Sequence, residues 1–220
     1  MTVTEFGATK GADETFTPGF RSATRWLKID PAAKGANAMT RGRAWLLQQI
    51  EEPASVLLAA TWADVEQHTT CAATDPDRDT LLPAISKHLY QPAGIDGPAK
   101  PLVLVHTEAD VFTKTNTPEG KRATGIATQP RKKAEFEMAF NASKGYIEAY
   151  TAPNTVRGAW RVDKKKDAAT GGDKEEYVLV AGWESRETRF AIADTDIVPK
   201  LTAFTSLLDG RESRHDRRLL

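Results

Sequence analysis

Residues 56–68 read VLLAATWADVEQH, and residues 177–189 read YVLVAGWESRETR. Each stretch is an apolar run that ends in a tryptophan, Trp62 or Trp183, and turns at once into charged sequence. The apolar runs are too short for a helix and rich in residues that suit a strand. Asp64 and Ser185 stand two residues past the tryptophans, where a side-chain oxygen can cap the amides of a following helix. Each copy therefore reads strand, tryptophan, cap, helix. The correspondence continues through Ala60 and Ala181, His68 and Arg189, Ala72 and Ala193, Thr74 and Thr195, and Asp75 and Asp196. A duplicated unit is the reading that accounts for all of these pairs.

The bulk composition sets the class. A chain of 220 residues accommodates one large domain or two small ones. Thirty basic and thirty acidic side chains cancel, so no global field holds a polyanion and nucleic acid is not an expected partner. One cysteine, Cys71, leaves no internal disulfide and no multi-cysteine metal site. It lies in the alanine-rich helix expected after Trp62, where a buried structural thiol is the default. No apolar segment follows Met1, and no stretch approaches the roughly 20 residues a membrane span needs. These features predict a cytoplasmic protein without a membrane partner.

Further along the chain the pattern predicts a strand over residues 2–9 and a helix over 18–29, with Phe20, Ala23 and Leu27 on one face. A second strand falls at 42–50, GRAWLLQQI, and a third at 55–62, joined across EEPAS as an antiparallel hairpin. A helix over 64–73 breaks at TDPDRD and resumes over 80–89, where Pro83 fits an early turn. PLVLVHT, 101–107, is a fourth strand. The order β-α-β-β-α-β is the ferredoxin-like split unit. Residues 114–131 are polar and read as a linker that can hide a short strand around 123–128. Then come a helix over 132–150, a strand over 155–162, a long wet hairpin loop (DKKKDAATGGDKEE) and the repeated strand over 177–183. A helix broken near 194–196, a last helix through Leu208 and a charged tail, RESRHDRRLL, complete the chain. The tail carries only a poor signal for a terminal strand. The expected division is an N-terminal α+β unit at 1–113, a linker at 114–131 and a C-terminal unit at 132–220. The fold class is α+β, with two antiparallel sheets packed face to face and helices outside, which buries both apolar faces within one chain.

The pattern strand–GW–S–VE–H–helix resembles the dimeric α+β barrel superfamily, and most of all its fungal antibiotic-biosynthesis-monooxygenase-like members. The residues that carry the resemblance are TVTEF at 2–6, QQIEEPASVLLAATWADVEQH ending at His68, LLPAISKHL, VLVHTEAD at 103–110 and VLVAGWESRE at 178–187. The sequence departs from the pattern at Thr61, where the second copy has Gly182, and at Arg189, where the first has His68. The resemblance implies a tandem barrel in one chain. It also implies a choice among cofactor-independent quinone-forming monooxygenases, aromatic polyketide cyclases, EthD-like proteins, haem-handling enzymes and stress-responsive proteins. The leading expectation is a small enzyme of secondary metabolism that needs no cofactor and acts on an aromatic or polyketide-like molecule by general acid–base catalysis. The alternatives are a non-catalytic ligand-binding barrel and a haem-binding one. An open strand edge further suggests a homodimer.

Histidine is the side chain suited to moving a proton near neutral pH. His68, with Val65 and Ala72 on a related helix face, is the expected general base. His106 shares a strand face with Leu104 and is the second catalytic candidate. His88 falls near a helix end, and His215 lies in the charged tail and reads as exposed. Among the five tryptophans, Trp62 and Trp183 read as structural, while Trp45 and Trp160, in GRAW and RGAW, read as repeat equivalents. Trp26, Trp45, Trp160 and Tyr146 are the expected walls for a flat organic ligand. Arg43 and Arg157 are placed to receive an acidic or enolate oxygen. No dinucleotide or P-loop fingerprint occurs, no Ser-His-Asp set can be assembled, and HTEAD is a weak metal signal. Neither a cofactor nor a metal is expected.

Overall fold

The computed structural model describes residues 2–7, 44–51, 55–60, 64–66, 70, 102–112, 122–130, 132–167 and 171–218. The chain divides into two compact units, one reaching from the N-terminus to His106 and the other running from Thr107 to Arg218.

In the first unit β1 (Thr2–Gly7), β2 (Ala44–Gln49), β3 (Ser55–Ala60) and β4 (Leu102–His106) form an antiparallel sheet. β1 pairs with both β3 and β4, and β2 pairs with β3, so the strand order is β4-β1-β3-β2. Leu47 and Ala59 are fully buried. Val65, Glu66 and Thr70, beyond β3, are helical, where the sequence predicts a helix after Trp62. Trp62 itself, the helices expected at 18–29 and 80–89, and Cys71 lie outside the described residues.

The second unit is built from β5 (Arg122–Pro130), α1 (Lys133–Thr151), β6 (Val156–Trp160), β9 (Tyr177–Trp183), α2 (Arg186–Ala191), α3 (Ile197–Thr205) and β10 (Leu208–Arg218). A two-stranded ribbon, β7 (Lys165–Lys166) with β8 (Asp173–Lys174), projects between β6 and β9. Lys166 Nζ meets Asp173 Oδ1 across it at 2.5 Å, so the expected wet hairpin loop carries a short charged ribbon. β5 pairs with β9 and β10, and β6 pairs with β9, giving the order β10-β5-β9-β6. Numbered within its own unit, each sheet therefore runs 4-1-3-2, the order of the ferredoxin-like split unit.

The strand expected around 123–128 is present and longer than expected: β5 covers Arg122–Pro130 and is an inner strand of the second unit's sheet, paired with β9 and β10. The charged tail contains β10, an 11-residue strand. Both strands are held by main-chain pairing and lack the alternating apolar residues by which strands are recognised.

The core of the second unit lies between α1 and one face of the sheet. Phe136, Phe140, Ser143, Ile147 and Thr151 recur every three or four residues and put one buried stripe on α1. Tyr177, Leu179, Ala181 and Trp183 alternate along β9 and meet that stripe together with Val156, Trp160, Ile192 and Phe204. Ser185 caps α2 by accepting from the Thr188 amide at 3.1 Å. Gly158 lies beneath the Tyr177 ring, and a Cβ there would come 2.7 Å from the phenol oxygen. Only glycine leaves room for that ring.

Candidate functional site

The pairing registers place two histidines in the same position of the two units. In the first sheet one row runs Ala44, Ala60, Thr2, His106. In the second sheet a row runs Val156, Ala181, Thr124, His215. Ala60 and Ala181 are already partners in the sequence repeat, and each faces a threonine and then a histidine on the fourth strand. Both histidines are buried, with His106 6% and His215 9% exposed. Neighbours in a row point to the same side of a sheet. Ala181 belongs to the core beneath the helices, so His215 faces them too, and its ring lies 5.4 Å from that of Phe190 on α2. The expectation of an exposed His215 is therefore wrong. β10 carries it under α2, and only the strand register reveals this.

The same alignment separates Trp45 from Trp160. Trp45 pairs with Ala59, whose counterpart is Val180, and Val180 pairs with Arg157. Trp160 pairs with Tyr177, the counterpart of Val56, which pairs with Gln48. Trp160 thus corresponds to Gln48, a buried polar residue, and GRAW and RGAW are not structural equivalents.

Around Trp160 and Tyr177 the second unit gathers aromatic rings and ionisable groups. Phe136, Phe140, Tyr177, Trp160 and Phe204 contact one another at centroid distances of 4.9–6.1 Å. Such a buried aromatic cluster is an environment suited to an apolar or aromatic small molecule. Trp160 Nε1 donates to Glu137, and Lys133 Nζ sits 4.6 Å from the Trp160 ring centre. Burial, with the nearby charges of Glu137 and Glu108, pushes the Tyr177 phenol up to about 12. Tyr177 therefore stays protonated at neutral pH and keeps its O–H as a hydrogen-bond donor. Nothing in the sequence marks Tyr177 except its place at the start of the repeated strand.

At the other end of β9, the Arg189 guanidinium lies 5.2 Å above the Trp183 ring, and Arg186 lies 5.2 Å above Phe190. Arg189 takes the position that His68 holds in the first copy. A separate buried network joins Arg161 to Glu176 at 2.6 Å and to Asp163 at 2.9 Å. Burial works against the Arg161 charge, and the hydrogen bonds and charges of Asp163 and Glu176 outweigh it, so the guanidinium is held above its ordinary range.

The other expected site residues are dispersed. His68, His88, Trp26 and Arg43 lie outside the described residues, as does the side chain of Trp45. Trp160 is buried in the aromatic cluster. Tyr146 is 44% exposed with Lys200 Nζ 5.2 Å from its ring centre, so it does not line the helix–sheet space. Arg157 is exposed and pairs with Val180, on the sheet face opposite to the helices. Among the described residues no cluster of histidine, cysteine and carboxylates is arranged to hold a metal ion, and no helix is long and apolar enough to cross a membrane.

No protein-family model and no curated protein matches the chain. Solved structures do. A protein of Lactobacillus acidophilus NCFM, named as a candidate monooxygenase, superposes with a TM-score of 0.60 at 11% identity, over 99% of this chain and 92% of its own. An anthrone oxidase-like protein superposes with a TM-score of 0.55 at 10% identity, over 100% of this chain and 90% of its own. A haem-binding protein of Thermus thermophilus gives 0.55 at 12% identity over the same two shares. At these identities the likeness is one of fold alone, the α+β arrangement described above.

Proposed function

We propose that the chain is a tandem repeat of one α+β unit and works as a cofactor-independent acid–base enzyme on an aromatic or polyketide-like molecule. The carrying observation is the buried histidine at one and the same sheet row of both units, His106 and His215. Neutral imidazole takes a proton near pH 7, and a histidine facing an apolar helix–sheet space can take one from a phenol or an activated methylene. In a cyclase, the carbanion so formed attacks a carbonyl carbon of the same chain, the proton returns to the new alkoxide, and the resulting hydroxyl leaves as water with a neighbouring C–H proton. In a monooxygenase, the carbanion reacts with dioxygen, and a methylene becomes a carbonyl with release of water. His68 belongs to the same proposal as a second proton acceptor in the first unit. The fold likeness to monooxygenase-type proteins raises the standing of this reading without fixing the reaction.

The test is incubation of the purified full-length protein in air, without added cofactor, with an anthrone and with a linear poly-β-ketone. Product masses should show either one oxygen gained with two hydrogens lost, or one water lost on ring closure. The same preparation titrated with haemin should show no stoichiometric Soret band. Haem uptake without conversion of either substrate would replace the enzyme by a haem-binding protein, a reading that the buried histidines also favour. Conversion of neither substrate, with tight retention of the aromatic one, would leave a binding protein.

A further inference from the structure

On the α2 side of the second unit, Arg189 has no carboxylate counter-charge among the described residues. Arg189 is half-buried, and its guanidinium rests 5.2 Å above the ring of Trp183, which is 4% exposed. Among the described residues no carboxylate comes within 4 Å of Arg189 or of Arg211. Arg211 lies in the Tyr177 row of the sheet, on the helix-facing side. The buried Trp183 Nε1–H has no acceptor among the described residues. A half-buried cation without a counter-charge is less favourable than one that an anion joins. Burial first, and then the charge of Arg211, hold the Arg189 guanidinium below its ordinary range, which is the sign of that missing counter-charge.

The surroundings define the occupant. Phe190 is 51% exposed, lies beneath Arg186 and faces the buried His215. Tyr150 lies 6.3 Å from Trp183 and donates to the Thr188 carbonyl at 3.3 Å. Aromatic faces and guanidinium groups alternate along this surface. That alternation suits a flat organic anion better than an inorganic one, since cations hold the charge while rings cover the framework.

We infer that the second unit binds an aromatic carboxylate or an ionised aromatic enol between α2 and the sheet, with Arg189 as its counter-charge. His215 then lies on the same face as the bound framework, and the position occupied by His68 in the first copy has become an anion holder in the second. The aromatic character of the ligand rests on the function proposed above; the charge requirement does not.

The test uses the wild-type full-length protein and two probes, 1-hydroxy-2-naphthoate and the neutral 1-naphthol, followed by tryptophan quenching and calorimetry. Loss of a charged hydrogen bond costs about 10- to 100-fold in affinity. The naphthoate should therefore bind at least about 10-fold more tightly than the naphthol. Arg189→Met should weaken the naphthoate by about 10- to 100-fold and leave the naphthol within about threefold. Should Arg189→Met fail to fold, added salt must weaken naphthoate binding to the wild type selectively. Equal affinity for the two probes, no naphthoate binding at millimolar concentration, or an Arg189→Met protein that binds like wild type overturns the inference. Arg189-dependent naphthoate binding without conversion of any substrate would sink the enzyme reading and leave the anion site standing. Conversion with no preference for the anion would do the reverse.

Discussion

Phe136→Ala should lower the unfolding free energy by about 3–5 kcal/mol, the cost of removing a fully buried phenylalanine. Phe136 is 0% exposed and its ring meets four others. It is edge-on to Tyr177 at 5.0 Å, to Trp160 at 5.8 Å and to Phe204 at 6.1 Å, and it stacks on Phe140 at 6.1 Å. Neighbours that are themselves pinned by one another collapse poorly into the space left behind, which places the effect toward the upper end of the range. For a chain of this size the midpoint should fall by about 10 °C or more. Met138 stands on the same helix but is 67% exposed, so Met138→Ala should stay within about 0.5 kcal/mol. Denaturant unfolding followed by tryptophan fluorescence measures both. A Phe136→Ala loss below about 1 kcal/mol would mean that the α1 face is not the core of the second unit.

Arg161→Met should cost about 3 kcal/mol or more, because it strands a buried carboxylate. Arg161 and Glu176 are each 7% exposed and meet at 2.6 Å, with Asp163 adding a second, more exposed partner. Without the guanidinium, Glu176 keeps the desolvation cost of burial and loses the charge of Arg161. The double variant Arg161→Met/Glu176→Met should recover most of the loss, since a well-packed apolar pair can replace a buried ion pair. A double variant as unstable as Arg161→Met alone would show that packing, not charge pairing, sets the penalty.

Much of this architecture is legible in the sequence wherever apolar side chains carry it. YVLVAGW forms β9, the period of Phe136, Phe140 and Ile147 gives α1, and the interruption between α2 and α3 falls near Asp194–Asp196 as its turn residues imply. β10 is not legible because both of its faces are polar, with Arg211, Ser213, His215 and Arg217 on one and Glu212, Arg214 and Asp216 on the other. Its position depends on main-chain pairing to β5, which no side-chain pattern announces. β5 is legible only in part, as a short strand around 123–128, since RATGIATQP has the composition of a linker. The candidate site suffers directly. His215 becomes visible only when Thr124 and Ala181 are known to share its row, and Tyr177 only when α1 is known to bring Glu137 beside Trp160. The similarity of GRAW to RGAW misleads because four residues of local likeness say nothing of register. The Arg161–Glu176 pair spans the charged hairpin without any motif.

The central claim is that the two units present equivalent histidines for proton transfer. Turnover by His106→Gln, His215→Gln and the double variant tests it most directly, because glutamine keeps hydrogen-bonding capacity but cannot serve as a comparable base. The double variant should fold with a wild-type melting midpoint and lose about 100-fold or more in turnover, the usual loss when a general base is removed. Each single variant should lose less than the double, because the other unit continues to work. Wild-type turnover in the folded double variant would contradict the account.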